Sequence, residues 1–411
     1  MQPPRINTTA RMPFAEIVAL TAAVMALNAF AIDMMLPALG LIGDELQTVH
    51  DNDRQKIIVY YVIANGIAQL FFGPIVDRFG RRPVLLLSIV GYIAGSILSI
   101  FASTFTLLLA ARVFQGIATA ATRVSITAIV RDQYAGRKMA EVMSIAITFF
   151  MVAPIIAPFI GQIVLEFGSW RMIFAILLIY GVILGVWTVL RVNETQAKAD
   201  RTPINVEHVV RAYVNFSRNR QSIGYTLAGM CCFGGLFGFL SASEQILIEL
   251  FEVGDFFAYA FASAAISLGA ATLLNSRFVS RLGMRKIIHT AVISYIVVNL
   301  IHLTLAMLIG ETLLIFLIFT SLSFFCLGFI GPNASALAME PMGENAGAAA
   351  AANGFFGTSG AGFLGGVIGG FYTGSTTPVI VGFMLLGVSS LIVILWTERG
   401  VLFHPNPEHS K

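Results

Sequence analysis

The stretch Gly73-Pro74-Ile75-Val76-Asp77-Arg78-Phe79-Gly80-Arg81-Arg82-Pro83 decides how the chain is read. It separates two apolar runs, 57–76 and 84–111, and neither run carries a charge. The arginines Arg78, Arg81 and Arg82 hold the turn on one side of a membrane, because cytoplasmic loops carry an excess of Lys and Arg. Any such loop accounts for the arginines. It does not account for Asp77 at the end of the first run, or for the spacing of Gly73, Asp77, Arg78, Gly80 and Arg81.

Composition fixes the class. Of 411 residues, 57% are hydrophobic and 11% are charged, whereas soluble domains carry about 25% charged residues. Helical spans need about 20 residues, and the apolar runs are that long, too long for barrel strands. The expected spans are 14–36, 56–76, 84–101, 106–130, 142–165 and 172–190, then 222–247, 256–276, 287–309 and 313–339. The uncharged stretch 345–397 exceeds one helix, and a turn at 373–378 divides it into spans 11 and 12. Segment 191–221 is the longest polar piece. It holds Pro203 and reads as a cytoplasmic linker with a surface helix over 206–216.

This organisation gives an N-terminal six-helix half at 1–190, a linker at 191–221 and a C-terminal half with a short tail at 222–411. Of the 25 Lys and Arg, only Arg54, Lys56 and Arg171 fall on the outer side, and Arg112 and Arg123 lie within span 4. The bias puts both termini in the cytoplasm. Arg5 and Arg11 precede a first apolar run that does not stop at a cleavage site, so that span is expected to stay. Cys231, Cys232 and Cys326 sit in apolar runs and imply neither a disulfide framework nor a zinc site. No Gly-x-x-x-x-Gly-Lys-Ser loop appears, which argues against a primary pump.

The loop spacing Gly73-x-x-x-Asp77-Arg78-x-Gly80-Arg81-Arg82 resembles the motif that joins spans 2 and 3 in the major facilitator superfamily. The loop between spans 8 and 9, from Arg277 to Lys286, echoes it without the aspartate. The resemblance implies an all-α integral membrane protein of twelve helices in two pseudo-symmetric halves.

Three further stretches carry chemistry. Asp33 lies in the apolar first span as Asp33-Met-Met-Leu-Pro37-Ala-Leu. A carboxylate there is a functional-site hypothesis by default, unless it lies so near the outer end that it reaches water. The pattern resembles the span-1 motif of drug:proton antiporters. Span 4 carries Leu108-x-x-x-Arg112-Val-Phe-Gln115-Gly116, which resembles the family's proton-coupling motif. At about 100° per residue, Arg123 falls about 20° from Arg112, with Thr119 between them on the same face. Arg112 and Arg123 therefore face a wet cavity or partner acids; alternatively Arg123 snorkels to the cytoplasmic interface.

Span 5 reads Ala153-Pro154-Ile-Ile-Ala157-Pro158-Phe-Ile-Gly161. Small residues four apart allow close helix approach, and the prolines bend the helix. The stretch resembles the antiporter span-5 motif in the Ala-Pro form of the Bcr/CflA-like multidrug exporters. Gly362, Gly366 and Gly370 of span 11 answer it, so spans 5 and 11 are expected to form the sliding contacts between halves. Glu244 in span 7 is either a second proton or cation site or an interfacial acid. His289 and His302, in a span 9 that the resemblance makes peripheral, are expected to serve packing or the lipid interface.

The resemblance implies a monomeric, proton-coupled exporter of drugs or small amphipathic metabolites in a bacterial inner membrane, working by alternating access with no cofactor. Its partners are protons, the small-molecule substrate and the lipid bilayer, not nucleic acid. Asp33, Arg112 and Glu244 would couple protons, and Thr119 and Arg123 would line the substrate cavity. Gly73, Asp77, Arg78, Gly80, Arg81 and Arg131 would gate, with Asp77 facing the start of span 11 and pairing with Arg131. Pro154, Pro158 and Gly161 would pack between halves with the span-11 glycines. Other classes left open are an importer or facilitator on the same fold and a non-transporting membrane sensor. An enzyme is disfavoured, because no nucleophile–base pair or metal cluster appears.

Overall fold

The computed structural model describes residues 12–197, 199, 201 and 206–403. Arg5, Arg11, Pro203 and the chain ends assigned to the cytoplasm lie outside them. Among the described residues eleven helices are long and apolar enough to cross a bilayer. The twelfth, span 11, runs through Ala346–Phe355, a π-helical turn at Phe356–Gly360, and Ala361–Gly370. Lipid offers the backbone no hydrogen bonds, so each span satisfies its own by being helical.

In the first half, span 1 is Phe14–Asp33, followed by short turns at Leu36–Ala38 and Leu39–Glu45. Spans 2, 3 and 4 are Lys56–Phe79, Arg81–Ile100 and Phe105–Gln133. Span 5 breaks at Met151 into Gly136–Phe150 and Ala153–Phe167, where Pro154 starts the second piece and Pro158 lies inside it. Span 6 is Arg171–Arg191. The surface helix expected in the linker forms at Val206–Arg218 and docks on the bundle by one stripe. Phe216 and Tyr213 pack on Met342, Ala349 and Ala352, and Tyr213 Oη donates to Leu70 O at 2.6 Å, so the linker touches both halves.

In the second half, span 7 is Arg220–Glu244 with a π-helical extension at Gln245–Leu250. Spans 8, 9, 10 and 12 are Phe257–Leu282, Met284–Ile309, Leu313–Met339 and Thr377–Thr397. Side-chain caps fix three starts: Thr104 accepts from Leu107 N, Asn219 from Ser222 N, and Thr312 from Ile315 N.

The repeat shows most plainly in two turns. Gly80 joins spans 2 and 3 with φ 101° and ψ 156°, and Gly283 joins spans 8 and 9 with φ 78° and ψ 152°. Both conformations are glycine's own. The weak echo between the two loops is thus one backbone solution used twice.

Two seams join the halves. Along the first, span 2 packs on span 11: methyls at Gly362 and Gly366 would meet Val62 at 2.6 Å and Val59 at 2.8 Å, and Ser359 Oγ donates to Ile63 O at 2.6 Å. Along the second, span 5 packs on span 8: Phe159 meets Tyr259 edge-on at 4.8 Å, and Gln162 donates to Asp255 O at 2.6 Å. Spans 5 and 11 thus both form contacts between the halves, as expected, each against a different span. Gly161 does not serve either seam. A methyl on it would meet Met34 O of its own half at 2.0 Å, so its size admits the end of span 1.

Two glycines of the loop motif should respond oppositely to Ala. Gly80→Ala forces a side chain into a positive-φ turn and against Glu194 Oε2 at 2.3 Å, costing about 1–3 kcal/mol in strain alone. Gly73 is helical with nothing within 4 Å of an added methyl, and Gly73→Ala should gain about 0.5–1 kcal/mol. Thermal unfolding of the purified variants will show a lower midpoint for Gly80→Ala and an unchanged or higher one for Gly73→Ala.

Candidate functional site

At the end that the charge bias assigns outside, an ion-pair and amide network joins the halves. Arg54 lies just before span 2 and is 95% buried. Its Nε sits 3.3 Å from Glu244 Oε2 of span 7, and its Nη2 pairs with Glu249. Beside it, Gln55 Nε2 donates to Gln245 Oε1 at 2.5 Å and to Gly369 O at 3.1 Å. Asn52 Nδ2 donates to Gly370 O and Tyr372 O, and Gln245 Nε2 donates to Asn52 Oδ1. Above the seal a crevice of about 450 Å³ remains, lined by His50, Asp51, Asn52, Glu249 and Tyr372.

Beneath the seal lies a polar cluster within the first half. Arg112 is fully buried. Its guanidinium donates to Ala31 O of span 1 at 2.8 Å, to Ile57 O of span 2 at 3.3 Å and to Gln115 Oε1, and it lies 4.2 Å over the Tyr61 ring. Tyr61 Oη donates to Asn28 Oδ1 and lies 3.0 Å from Thr119 Oγ1, while Asn65 Nδ2 donates to Thr119 Oγ1 and Gly116 O. Asp33, two residues past Ala31, is 5% exposed and within electrostatic reach of Tyr61. Among the described residues its carboxyl has no ion pair or hydrogen bond.

At the inner end the ion pairs described stay within one half. Arg81 meets Asp77 and Asp132 at 3.1 Å each, and its backbone N–H donates to Glu194. In the second half Arg285 meets Glu398 at 3.1 Å and Glu340 at 3.7 Å. The halves are locked together by charge outside and not by these clusters inside. The inner part of span 4 is open accordingly, since Arg123 is exposed although it lies ten residues from the helix end.

The Major Facilitator Superfamily model matches residues 19–369. The chain belongs to this superfamily. Among curated relatives, the bicyclomycin resistance protein homolog of Haemophilus influenzae is 32% identical over 64% of this chain and 66% of its own length. The chloramphenicol resistance protein of Pseudomonas aeruginosa is 34% identical over 42% of this chain and 41% of its own. The multidrug resistance protein MdtL of Shigella dysenteriae is 27% identical over 58% of this chain and 60% of its own. A solved structure titled as a partially occluded inward-open conformation of the xylose transporter XylE from E. coli superposes with a TM-score of 0.74. It covers 97% of this chain and 99% of that one at 12% identity, so the likeness is one of fold. The chain is a multi-pass membrane transporter of the superfamily and not an enzyme, and its likeness is to the Bcr/CflA-like drug exporters.

Within this superfamily fold several expected contacts are rearranged. Arg112 does not pair with Asp33, because the carbonyls of spans 1 and 2 already occupy its fork. Thr119 is not cavity-lining. It is 1% exposed and tied to Tyr61 and Asn65. Glu244 is not an interfacial acid reaching water, nor a free site, since Arg54 holds it. Asp77 pairs with Arg81 one turn on and not with Arg131, which is exposed. The Gly80 turn brings Arg81 back between Asp77 and Asp132. Arg78 is exposed. Gly370 belongs to the outer seal through its carbonyl and not to helix packing. His289 and His302 are buried, His289 against Tyr225 and Phe403 N, and His302 beside Glu311.

Sequence reasoning missed Arg54, Asn52, Gln55, Gln245 and Tyr372. The signal was the exceptions to the charge bias. All three outer basic residues are paired with acids: Arg54 as above, Lys56 with Asp53, and Arg171 with Glu45. A paired cation lacks the free charge that the sidedness rule counts.

Two outcomes follow from this geometry. Arg54→Gln leaves Glu244 buried and unpaired in the sealed state only, and breaking a buried pair costs about 3–5 kcal/mol. The outer-open population should rise by roughly a hundredfold or more. A cysteine replacing buried Leu247, with the native cysteines changed to Ser, should become reactive to an impermeant thiol reagent. Arg112→Lys should fold but transport poorly, because a point charge cannot serve two carbonyls, an amide and a ring face together; wild-type transport rates in this variant would show that charge alone suffices.

Proposed function

We propose that the chain is a proton-coupled exporter of drugs or small amphipathic metabolites, in a bacterial inner membrane with both termini cytoplasmic. The observation that carries this reading is Asp33: an acidic residue 95% buried at the end of span 1, without ion pair or hydrogen bond among the described residues, beneath a closed outer seal. The resistance proteins among its relatives support the direction of transport and the kind of cargo.

The mechanism follows from which groups are tied to which spans. Burial disfavours the charged form of a carboxyl and hydration favours it. Asp33 ends span 1, and Arg112 holds span 1 through Ala31 O and span 2 through Ile57 O. When the halves rock, Arg112 keeps these helices in register while the outer seal opens or closes beside Asp33. Opening the seal hydrates Asp33 and exchanges its proton outside. Closing it returns the carboxyl to an environment where only the inner cavity supplies water. Arg54 leaves Glu244 and Glu249 when the seal opens, and water takes over each charge at the outer surface. The monomer contains every group used.

Asp33→Asn removes the titrating group and keeps its shape. Substrate-induced proton release from the purified protein should vanish, and pH-gradient-driven export should fall to background, with the unfolding midpoint within a few degrees of wild type. Undiminished proton release would remove Asp33 from coupling and move the role to Glu244.

A further inference from the structure

Arg123 is the charge in the bundle that the coupling scheme does not use. Nine residues separate it from Phe114, which is 43% exposed on the outer stripe of span 4 with Leu107 and Ile117. At about 100° per residue Arg123 points the opposite way. It extends the face on which Gly116 and Thr119 pack against span 2 one and two turns earlier. A residue on that face could be covered like Arg112, yet Arg123 is exposed. Its exposure is therefore to an opening inside the bundle and not to the lipid-facing side.

Among the described residues Arg123 forms no ion pair or hydrogen bond. The sequence explains why. No acid occurs in 17–32 of span 1, 57–76 of span 2, 142–165 of span 5, 222–243 of span 7, 257–276 of span 8, 313–339 of span 10 or 346–370 of span 11. Asp33 and Glu244 both belong to the outer end, and Glu244 is already held by Arg54. The inner-end acids of these helices lie outside those stretches and do not serve Arg123: Asp77 and Asp132 are held by Arg81, Glu16 by Arg191 and Glu340 by Arg285, and Glu141 forms no ion pair with it. Three neutral polar groups of the opposite half satisfy one another: Thr226 donates to Asn353, and Asn353 donates to Ser335.

We infer that Arg123 is the recognition site for an anionic head group, and that the cavity takes amphipathic organic monoanions of the carboxylate type. The inference rests on the transporter reading and names its substrate class. Water stabilises Arg123 while the cavity is open. When the inner end closes, that water is lost, and an unpaired guanidinium in a dry bundle is strongly unfavourable. A carboxylate restores the balance and can meet the guanidinium fork with two hydrogen bonds. Closure is then favoured with the anion aboard and resisted when the cavity is empty, which ties occlusion to loading. The apolar walls of the spans hold the rest of the molecule.

The test uses three probes of one shape and different charge: 1-naphthoate, 1-naphthamide and 1-naphthylmethylammonium. Each is titrated calorimetrically into the full chain in lipid nanodiscs. The naphthoate should bind about tenfold or more tighter than the amide, and the ammonium weakest. Arg123→Gln should erase the preference for the acid over the amide, and Arg123→Lys should keep part of it. Equal binding of acid and amide to the wild type, or no binding of either, overturns the inference, as does a preference that survives Arg123→Gln. Should Arg123→Gln fail to fold, the wild-type ratio and Arg123→Lys still decide. The experiment needs no transport, so its failure is separate from a failure of proton-driven export.

Discussion

The hydrocarbon core of a bilayer supplies no hydrogen bonds and little hydration, and each ionisable side chain in this bundle is placed by that constraint. Glu244, Arg112, Arg123 and Asp33 meet the constraint differently. Glu244 is neutralised by Arg54 across the two halves. Arg112 is dispersed over two backbone carbonyls, an amide and an aromatic face. Arg123 is left to the water of the inner opening. Asp33 is buried with no partner among the described residues. Only the Arg112 contacts lie within one half and need not break. The other three depend on which end of the bundle is open, and it is there that transport chemistry can act.

The conformation itself follows from where charge is paired. At the outer end, Arg54 and the amides of Asn52, Gln55 and Gln245 tie span 2 and the turn before it to spans 7 and 11. At the inner end, Arg81 and Arg285 knit their own halves. Both kinds of cluster contain arginine and carboxylate, but only the outer one has to break for the halves to part. The inner clusters keep each half rigid while it moves, and the linker helix follows both through Tyr213 and Phe216.

Packing along the seams is suited to such motion. Glycines on span 11 meet valines on span 2, and Gly66 admits the π-helical turn around Ser359 with no room for a side chain. Contacts of this kind are close yet carry few directional bonds. At the second seam Gln162 donates to Asp255 O and accepts from Ala258 N, both at its outer end, on the same side as the ionic seal.

The sequence by itself determined the class and the two-half architecture, because lipid imposes long apolar runs and glycine at the tight turn wherever they occur. The loop from Gly73 to Pro83 was enough to identify the superfamily, and its echo at Gly283 carried the repeat. Asp33 and Arg112 were legible because a charge in an apolar span has no local explanation. Tertiary structure alone decided the partners. Arg54 looked like an ordinary loop residue until residues about two hundred positions away closed on it. Arg81 displaced Arg131 because a turn aims a side chain in a direction that spacing does not encode. Arg112 and Arg123 lie about 20° apart on one helix face, yet one is sealed and the other open. Helical periodicity fixes direction, but depth relative to the closed end decides whether water is there.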